Sequence, residues 1–286
     1  MGRLNVVSSF PGASGQPKSS GLAIEFAQLS DAGRVRGHNE DYLGHAAPET
    51  APAVRTHGWL FAVADGVGGH DKGEVASQVA IETLMQGFRK AVAGEPHSPL
   101  LQRLVQAANI QVYETGRNAS PGGTAMATTV VACALRFDRA AIAHVGDSRC
   151  YLVRRGQATL LTRDHTVVND QVRLGILSAK EAAESDRRHL LSRSLGNDLF
   201  VGVETSEHQI FADDVLLLCS DGLHGAVAAA EFASLLTGST DLTSAARHLV
   251  ALANERDGSD NISVQLIRIR EVERVGMYRG RPYKLR

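Results

Sequence analysis

The stretch FAVADGVGGH, from Phe61 to His70, sets an apolar run against a carboxylate and three glycines. Apolar residues without polar alternation over this length, closed by turn-forming residues, predict a strand buried on both faces. A strand that merely turns needs one glycine, or two. Asp65 followed by Gly66, Gly68 and Gly69 therefore marks a point where something comes close to the main chain.

The same grammar recurs outward from this point. VLLLCSDG ends on Asp221, AIAHVGDSR on Asp147, and DGSDNISV places Asp260 at the entry to the last strand. GRVRGHNED puts Glu40 and Asp41 just after the first strand. Taken singly, each Asp-Gly is ordinary turn chemistry. Five acidic strand ends in one chain read differently, because strands that share a sheet bring their ends together. Carboxylates gathered in this way repel one another and take up protons unless a cation compensates. Carboxylate and carbonyl oxygens suit Mg²⁺ or Mn²⁺, and the eleven histidines contain no HExxH pair that would favour zinc. With Asp65 between two ions, the Gly66 carbonyl can reach one of them, and Gly68 and Gly69 turn the chain into the following helix.

The 286 residues are 43% hydrophobic and 21% charged, enough for a large core, and the net charge is -1. That balance gives no electrostatic reason to expect nucleic acid or an anionic membrane as partner. The three cysteines, Cys133, Cys150 and Cys219, form no CxxC and read as buried, inert thiols. The N-terminus lacks the apolar core of a signal peptide, and no apolar run approaches the ~18 residues of a membrane span. A cytoplasmic monomer is the expectation. GxxxxGK[ST] and GxSxG are both absent from the sequence, which disfavours a P-loop enzyme and a serine esterase.

Residues 1–21, rich in Ser, Gly and Pro, read as a flexible leader, and 271–286 as a basic tail, solvated or docking an acidic partner. Between them, helices are expected from about Gly73 to Ala91, from about Pro99 to a stop at Gly116, and from Leu242 to near Gly258. The β-rich run TAMATTVVACALRFDRAAIAHVGDSRCYLVRRGQATLLT reads as an antiparallel meander. A partly helical stretch spans about 164–197. Helices at both flanks of antiparallel strands predict an α+β chain with two sheets face to face between helix layers.

Read in order, RGHNED, ADGVGGH, GTAMATTVV, VGDSR, LTRDHTVVNDQVRLGILSAKEA, LLSRSLG, CSDGL and SDNISV resemble the motifs of PP2C-type (PPM) metal-dependent Ser/Thr phosphatases, most nearly the bacterial, kinase-partnered branch. The resemblance covers about residues 22–270. It implies a four-layer α-β-β-α sandwich with two Mn²⁺ or Mg²⁺ ions at one end. Asp65 resembles the acid that bridges both ions, Gly66 the carbonyl ligand, and Asp221 and Asp260 the ligands of the first ion. Glu40 resembles the acid that holds a water on the second ion, with Asp41 supporting it. Arg36 resembles the phosphate-gripping arginine, and Asp147 the acid of a third, weaker metal site. The stretch 164–197 resembles the flap beside that site. The implied substrates are phosphorylated proteins, and the implied partner is a cognate Ser/Thr kinase.

Two features need weighing within that resemblance. Val67 stands where eukaryotic members often carry a general-acid histidine, and the motif does not license moving that role to His70, read as a helix-entry residue. Arg36 has a plainer alternative, a surface salt bridge to Glu40 four residues on. The apolar spacing in the flap predicts a packed helical hairpin that shapes access to the site, and its His189 and arginines could receive an acidic phosphopeptide. Arg149 reads as structural. The expected reaction is in-line attack by metal-activated water on phosphoserine or phosphothreonine, without a phosphoenzyme. A catalytically silent binding module of the same fold is the alternative; it could dispense with some of these acids, and none is missing.

Overall fold

Trp59–Ala64 and Val215–Cys219 are apolar throughout because each lies in a sheet with helices on one side and a second sheet on the other. Alternate side chains of a strand point to opposite faces. Leu60, Ala62 and Ala64 thus meet helices, while Phe61 and Val63 meet the opposing sheet. Val215, Leu217 and Cys219 likewise face helices, and Leu216 and Leu218 the space between the sheets.

The computed structural model describes residues 21–67, 71–119, 126–278 and 281–285. Its elements begin with β1 (Ala23–Asp31), β2 (Asp41–Ala46), α1 (Ala51–Thr56), β3 (Trp59–Val67), α2 (Asp71–Arg89) and α3 (His97–Ala119). Then follow β4 (Ala127–Thr128), β5 (Val130–Arg136), β6 (Arg139–Val145), β7 (Arg149–Arg154), β8 (Gln157–Leu160), α4 (Val167–Arg173) and α5 (Ala179–Glu184). The chain continues with β9 (Glu204–Gln209), β10 (Val215–Cys219), α6 (Asp221–His224), α7 (Ala229–Leu236) and α8 (Leu242–Arg256). It closes with β11 (Ile262–Glu271), β12 (Val275–Tyr278) and β13 (Arg281–Lys284).

One sheet has the order β1-β11-β10-β7-β8, the other β2-β3-β5-β6-β9 with β4 beside β3, and their ladders are antiparallel. Helices α2 and α3 cover the second sheet, α7 and α8 cover the first, and a third apolar cluster fills the gap between the sheets. This is the expected α-β-β-α sandwich. The edge strand β9 alternates between half-buried and exposed residues, as a strand with one solvated face should.

Four expectations change. The β-rich run is not one meander: β5 and β6 pair in one sheet, and β7 and β8 belong to the other. The chain changes sheets across Gly146–Ser148, which carries Asp147 to the end of the sandwich. Gly116 does not stop α3, which runs on to Ala119; the glycine makes room for Met126, whose Cβ would lie 3.3 Å from an added side-chain carbon. The stretch beyond Glu271 carries more order than a bare tail, because β12 and β13 pair and the Leu285 N–H bonds the Arg274 carbonyl at 2.9 Å, while Tyr283 and Lys284 stay exposed. Glu273 anchors its start, buried and paired with Arg55 at 2.7 Å. The helical hairpin forms as α4 and α5, but Leu174 and Ile176 at its turn are 67% and 64% exposed, so its apolar spacing does not mean packing. The leader lies outside the described residues except for Gly21, as do Gly68, Gly69 and His70.

Candidate metal centre

β2 begins where β3 ends, and their register sets Asp41 directly opposite Asp65. The backbone of Asp65 is held from the neighbouring strands. Its N–H donates to Thr129 Oγ1 at 3.0 Å, and its carbonyl accepts from Thr128 Oγ1 at 2.7 Å and the Thr129 N–H at 2.8 Å. The next residue must be glycine. Gly66 N–H donates to the Glu40 carbonyl at 3.1 Å, and a Cβ on Gly66 would run into the Gly73 carbonyl group and lie 2.8 Å from the Glu40 carbonyl oxygen. A Cβ on Gly73, in the first turn of α2, would lie 2.7 Å from Glu40 Oε2. The close approach inferred at Asp65-Gly66 is therefore that of the Glu40 strand entry and the start of α2.

The other sheet supplies Asp221, the first residue of α6, and Asp260, two residues before β11. Ser220 joins the sheets: its hydroxyl donates to Asp41 Oδ2 at 2.7 Å and accepts from the Ser263 N–H at 3.0 Å. Asp41 thus engages Ser220, next to Asp221. Arg36 Nη2 donates to Asp260 Oδ2 at 2.9 Å, so its ion-pair partner is Asp260 and not Glu40 as the plainer alternative had it. Asn261 orders the loop between them. Its Nδ2 donates to the Ala32 and His38 carbonyls at 2.9 and 3.0 Å, and its Oδ1 accepts from the Glu40 N–H at 2.8 Å.

Asp147 sits in the sheet-crossing loop, where its backbone carbonyl accepts from His224 Nε2 at 2.9 Å. That bond ties it to the short helix opened by Asp221. Arg149 makes a two-pronged pair with Asp164, Nε to Oδ1 at 2.8 Å and Nη2 to Oδ2 at 2.6 Å, a structural role as expected.

These acids disturb one another. Burial, opposed by hydrogen bonds from Ser220 and Ser263, pushes the Asp41 carboxyl up to about 7. Burial and the charge of Asp221 push Asp147 up to about 7. Burial and the charges of Asp41, Asp221 and Asp147 hold Asp65 well above the usual carboxylate range, and burial followed by the Asp260 charge raises Asp221. Asp41 Oδ1 and Asp221 Oδ1 are buried with no hydrogen-bond partner. Unsatisfied buried oxygens and mutual repulsion are what a divalent cation removes, and an all-oxygen donor set suits Mn²⁺ or Mg²⁺. The residues fit such ions.

Seven of the eight residues singled out in the sequence, Arg36, Glu40, Asp65, Gly66, Asp147, Asp221 and Asp260, line one cleft of about 520 Å³. Asp41 lies behind it, 7% exposed. Val67 also lines the cleft, and the flap contributes His189, Leu190, Leu191, Ser194 and Asn197. The flap's base is fastened by Val167 N–H to the Leu190 carbonyl at 2.8 Å and Ser192 N–H to the His165 carbonyl at 2.9 Å. Sequence reasoning missed Thr128, Thr129, Ser220, His224 and Asn261. Their one signal was position: Ser220, His224 and Asn261 stand in, or just after, a motif that carries an acid, and Thr128 and Thr129 in the motif GTAMATTVV.

Comparison with known proteins agrees with this geometry. Residues 38–257 match the family described as Protein phosphatase 2C. The serine/threonine phosphatase stp of Listeria innocua serovar 6a is 36% identical over 258 residues, covering 88% of this chain and 96% of that protein. Among solved structures, the S. agalactiae serine/threonine phosphatase superposes with a TM-score of 0.79 at 32% identity, over 86% of this chain and 100% of that one. The catalytic domain of the serine/threonine protein phosphatase PstP, solved with two manganese ions, gives a TM-score of 0.74 at 32% identity, over 87% and 100% of the two chains. With three-quarters of its length matched and its acids gathered at one end of a double sheet, this chain belongs to the protein phosphatase 2C family.

Proposed function

We propose that this protein is a Mn²⁺- or Mg²⁺-dependent protein serine/threonine phosphatase, which hydrolyses phosphoserine and phosphothreonine without a phosphoenzyme and opposes a cognate Ser/Thr kinase. The observation that carries the reading is the convergence of Asp65, Asp221, Asp260 and Glu40 on one cleft beside Arg36. The relatives named as serine/threonine phosphatases support the reaction class, and the manganese-bound PstP domain supports the choice of ion.

Divalent ions bound by these acids would supply Lewis acidity, activating a water near neutral pH and screening the phosphoryl charge. Asp65, Asp221, Asp260 and Glu40, which line one cleft, would hold the ions. Arg36 is half-exposed, so its pair with Asp260 is weakly held, and its planar fork can turn to grip two phosphoryl oxygens. Asn261 fixes the Glu40 backbone and so limits where that side chain can point in the cleft. The flap lines one side of the cleft and shapes access to it. All three thiols are fully buried and none lines the cleft, which supports direct attack by water over a cysteinyl-phosphate route. The reading includes action as a monomer in the cytoplasm. Among the described residues no helix is long and apolar enough to cross a membrane.

The test is hydrolysis of a phosphothreonine peptide with and without MnCl₂, beside an Asp221→Asn control. Release of phosphate that requires Mn²⁺ and collapses in the control is expected. Folded, Mn²⁺-loaded protein without turnover would overturn the reading in favour of a silent binding module.

A further inference from the structure

His189 has no role in the chemistry above, yet it reaches the acids. Its Nδ1 lies 3.7 Å from Asp221 Oδ2, too far for a hydrogen bond. One donor atom from each of Asp147, His189 and Asp221 lies within 4.8 Å of the other two. Two donors about 2.1 Å from one ion stand at most about 4.2 Å apart, so the trio is close to the span of a single divalent ion. The two acids are rigidly related, because His224 ties the Asp147 backbone to the helix that Asp221 begins. Asp221 Oδ1 is buried without a partner. The histidine side chain is 56% exposed, free to turn through the remaining distance.

The flap that carries His189 is fastened at its base but loosely covered toward its tip. Leu174, Ile176 and Leu190 are exposed, and a segment with few buried apolar contacts opens easily. We propose that His189 is a metal ligand carried by the flap: it adds an imidazole to the third metal position that the family resemblance gives Asp147, beside Asp221, and the ion held there latches the flap over the cleft. The inference deepens the metal-dependent reading and rests on it for the presence of divalent ions. An imidazole nitrogen among the donors makes this position prefer Mn²⁺ to Mg²⁺.

A second cluster, His144, His165 and Glu204, is equally close-set but already satisfied. His165 Nδ1 accepts from the Gly146 N–H at 3.2 Å, its Nε2 meets Glu204 Oε2 at 3.1 Å, and His144 Nε2 lies 2.9 Å from the Arg163 carbonyl oxygen. Those atoms are committed to hydrogen bonds; His189 Nδ1 and Asp221 Oδ1 are not.

The experiment loads wild type and His189→Ala with Mn²⁺ alone. Pulsed electron paramagnetic resonance reads nitrogen coupling to Mn²⁺, calorimetry reads affinity, and hydrogen exchange reads the flap. Wild type is expected to show ¹⁴N modulation and Mn²⁺-dependent protection of residues 167–190. The variant is expected to lose both and to bind its weakest Mn²⁺ about tenfold or more less tightly, in the range seen when a metal site loses a supporting group. Melting of the metal-free variant at the wild-type temperature confirms its fold. Mn²⁺-loaded wild type without ¹⁴N modulation, or a variant that keeps the modulation and the affinity, overturns the proposal. Mn²⁺-dependent turnover without nitrogen coupling defeats this inference alone, whereas nitrogen coupling in a protein without turnover upholds it and defeats the phosphatase reading.

Discussion

Asp41 and Asp65 face each other across the antiparallel ladder of β2 and β3, two carboxylates in directly opposed positions at the mouth of the sandwich. Like charges so placed oppose folding. The arrangement persists because the two strands are also paired through Tyr42–Ala46 and Leu60–Ala64, whose apolar side chains fix the register.

Metal-free protein should therefore lose stability as pH rises. Asp41 and Asp147 are held at about 7 in the fold, against an ordinary carboxylate value near 4 when unfolded. Between those values the folded state keeps protons that the unfolded state releases. A raised pKa of this kind gives stability that is full below about pH 4 and gone above about pH 7. For Asp147 alone the effect is on the order of a few kcal/mol. Buried histidines such as His97 and His224, held down to about 4, oppose this trend below about pH 6.5. Melting curves of chelator-treated protein should therefore show a falling Tm from about pH 6.5 to 8, and Mn²⁺ should flatten that part of the profile. A level profile in the chelated protein would contradict the buried repulsion.

Asp65→Asn removes the charge at the centre of the cluster while keeping its shape. At pH 8 the metal-free variant should melt above metal-free wild type, because Asp41, Asp147 and Asp221 lose a repelling neighbour. Phosphopeptide hydrolysis should fall to background, and added Mn²⁺ should raise its Tm less than that of wild type. This is the expected trade between stability and function at a site built of like charges. A metal-free variant that melts below wild type at pH 8 would refute the electrostatic account.

Arg36→Ala tests the exchange of Asp260 for phosphate. The Arg36–Asp260 pair is exposed on both sides, so stability should change by less than about 1 kcal/mol. Loss of charge-assisted bonds to the phosphoryl group should lower kcat/KM roughly 10- to 100-fold, the equivalent of about 1.5–3 kcal/mol. Arg36→Lys should recover little, since a point charge does not reproduce a two-pronged grip. Steady-state kinetics on a phosphothreonine peptide decide it; unchanged kcat/KM in Arg36→Ala would assign the arginine to the salt bridge alone.

What could be read from the sequence followed the physics of each signal. Asp65, Asp147, Asp221 and Asp260 stood out because an apolar strand that abruptly presents an acid is a local pattern. Their convergence needed topology as well. Asp147 reaches the cleft only because the chain changes sheets across Gly146–Ser148, a step that no periodicity announces. Arg36 illustrates the same limit: its nearest acid in sequence is Glu40, but its partner is Asp260, 224 positions away. In the flap, helical spacing predicted α4 and α5, but spacing does not say what covers a face, and Leu174 and Ile176 are left bare. Thr129, Ser220 and Asn261 were illegible for another reason. A hydroxyl or amide beside a turn has many ordinary uses, and only coordinates reveal which backbone group it holds.

Asn261 carries the last prediction. It makes three bonds at once, to the Ala32 and His38 carbonyls and from the Glu40 N–H, and so joins the entry of β11 to the whole loop that bears Arg36 and Glu40. Asn261 is 4% exposed, so these partners have little water to turn to when the amide is removed. Each buried group left unsatisfied costs about 1–3 kcal/mol. Asn261→Ala should accordingly destabilise by at least about 2 kcal/mol in chemical denaturation. Asn261→Asp keeps the acceptor for Glu40 but removes both donors and adds a negative charge next to Asp260. It should do worse in metal-free protein, and Mn²⁺ should recover part of the difference. Both variants should lower kcat more than they raise KM, because the loop's order is needed most where Glu40 and the phosphoryl oxygens must be held in line. If Asn261→Ala keeps wild-type stability and kcat, the loop is held by other means and the orienting role assigned to Asn261 is wrong.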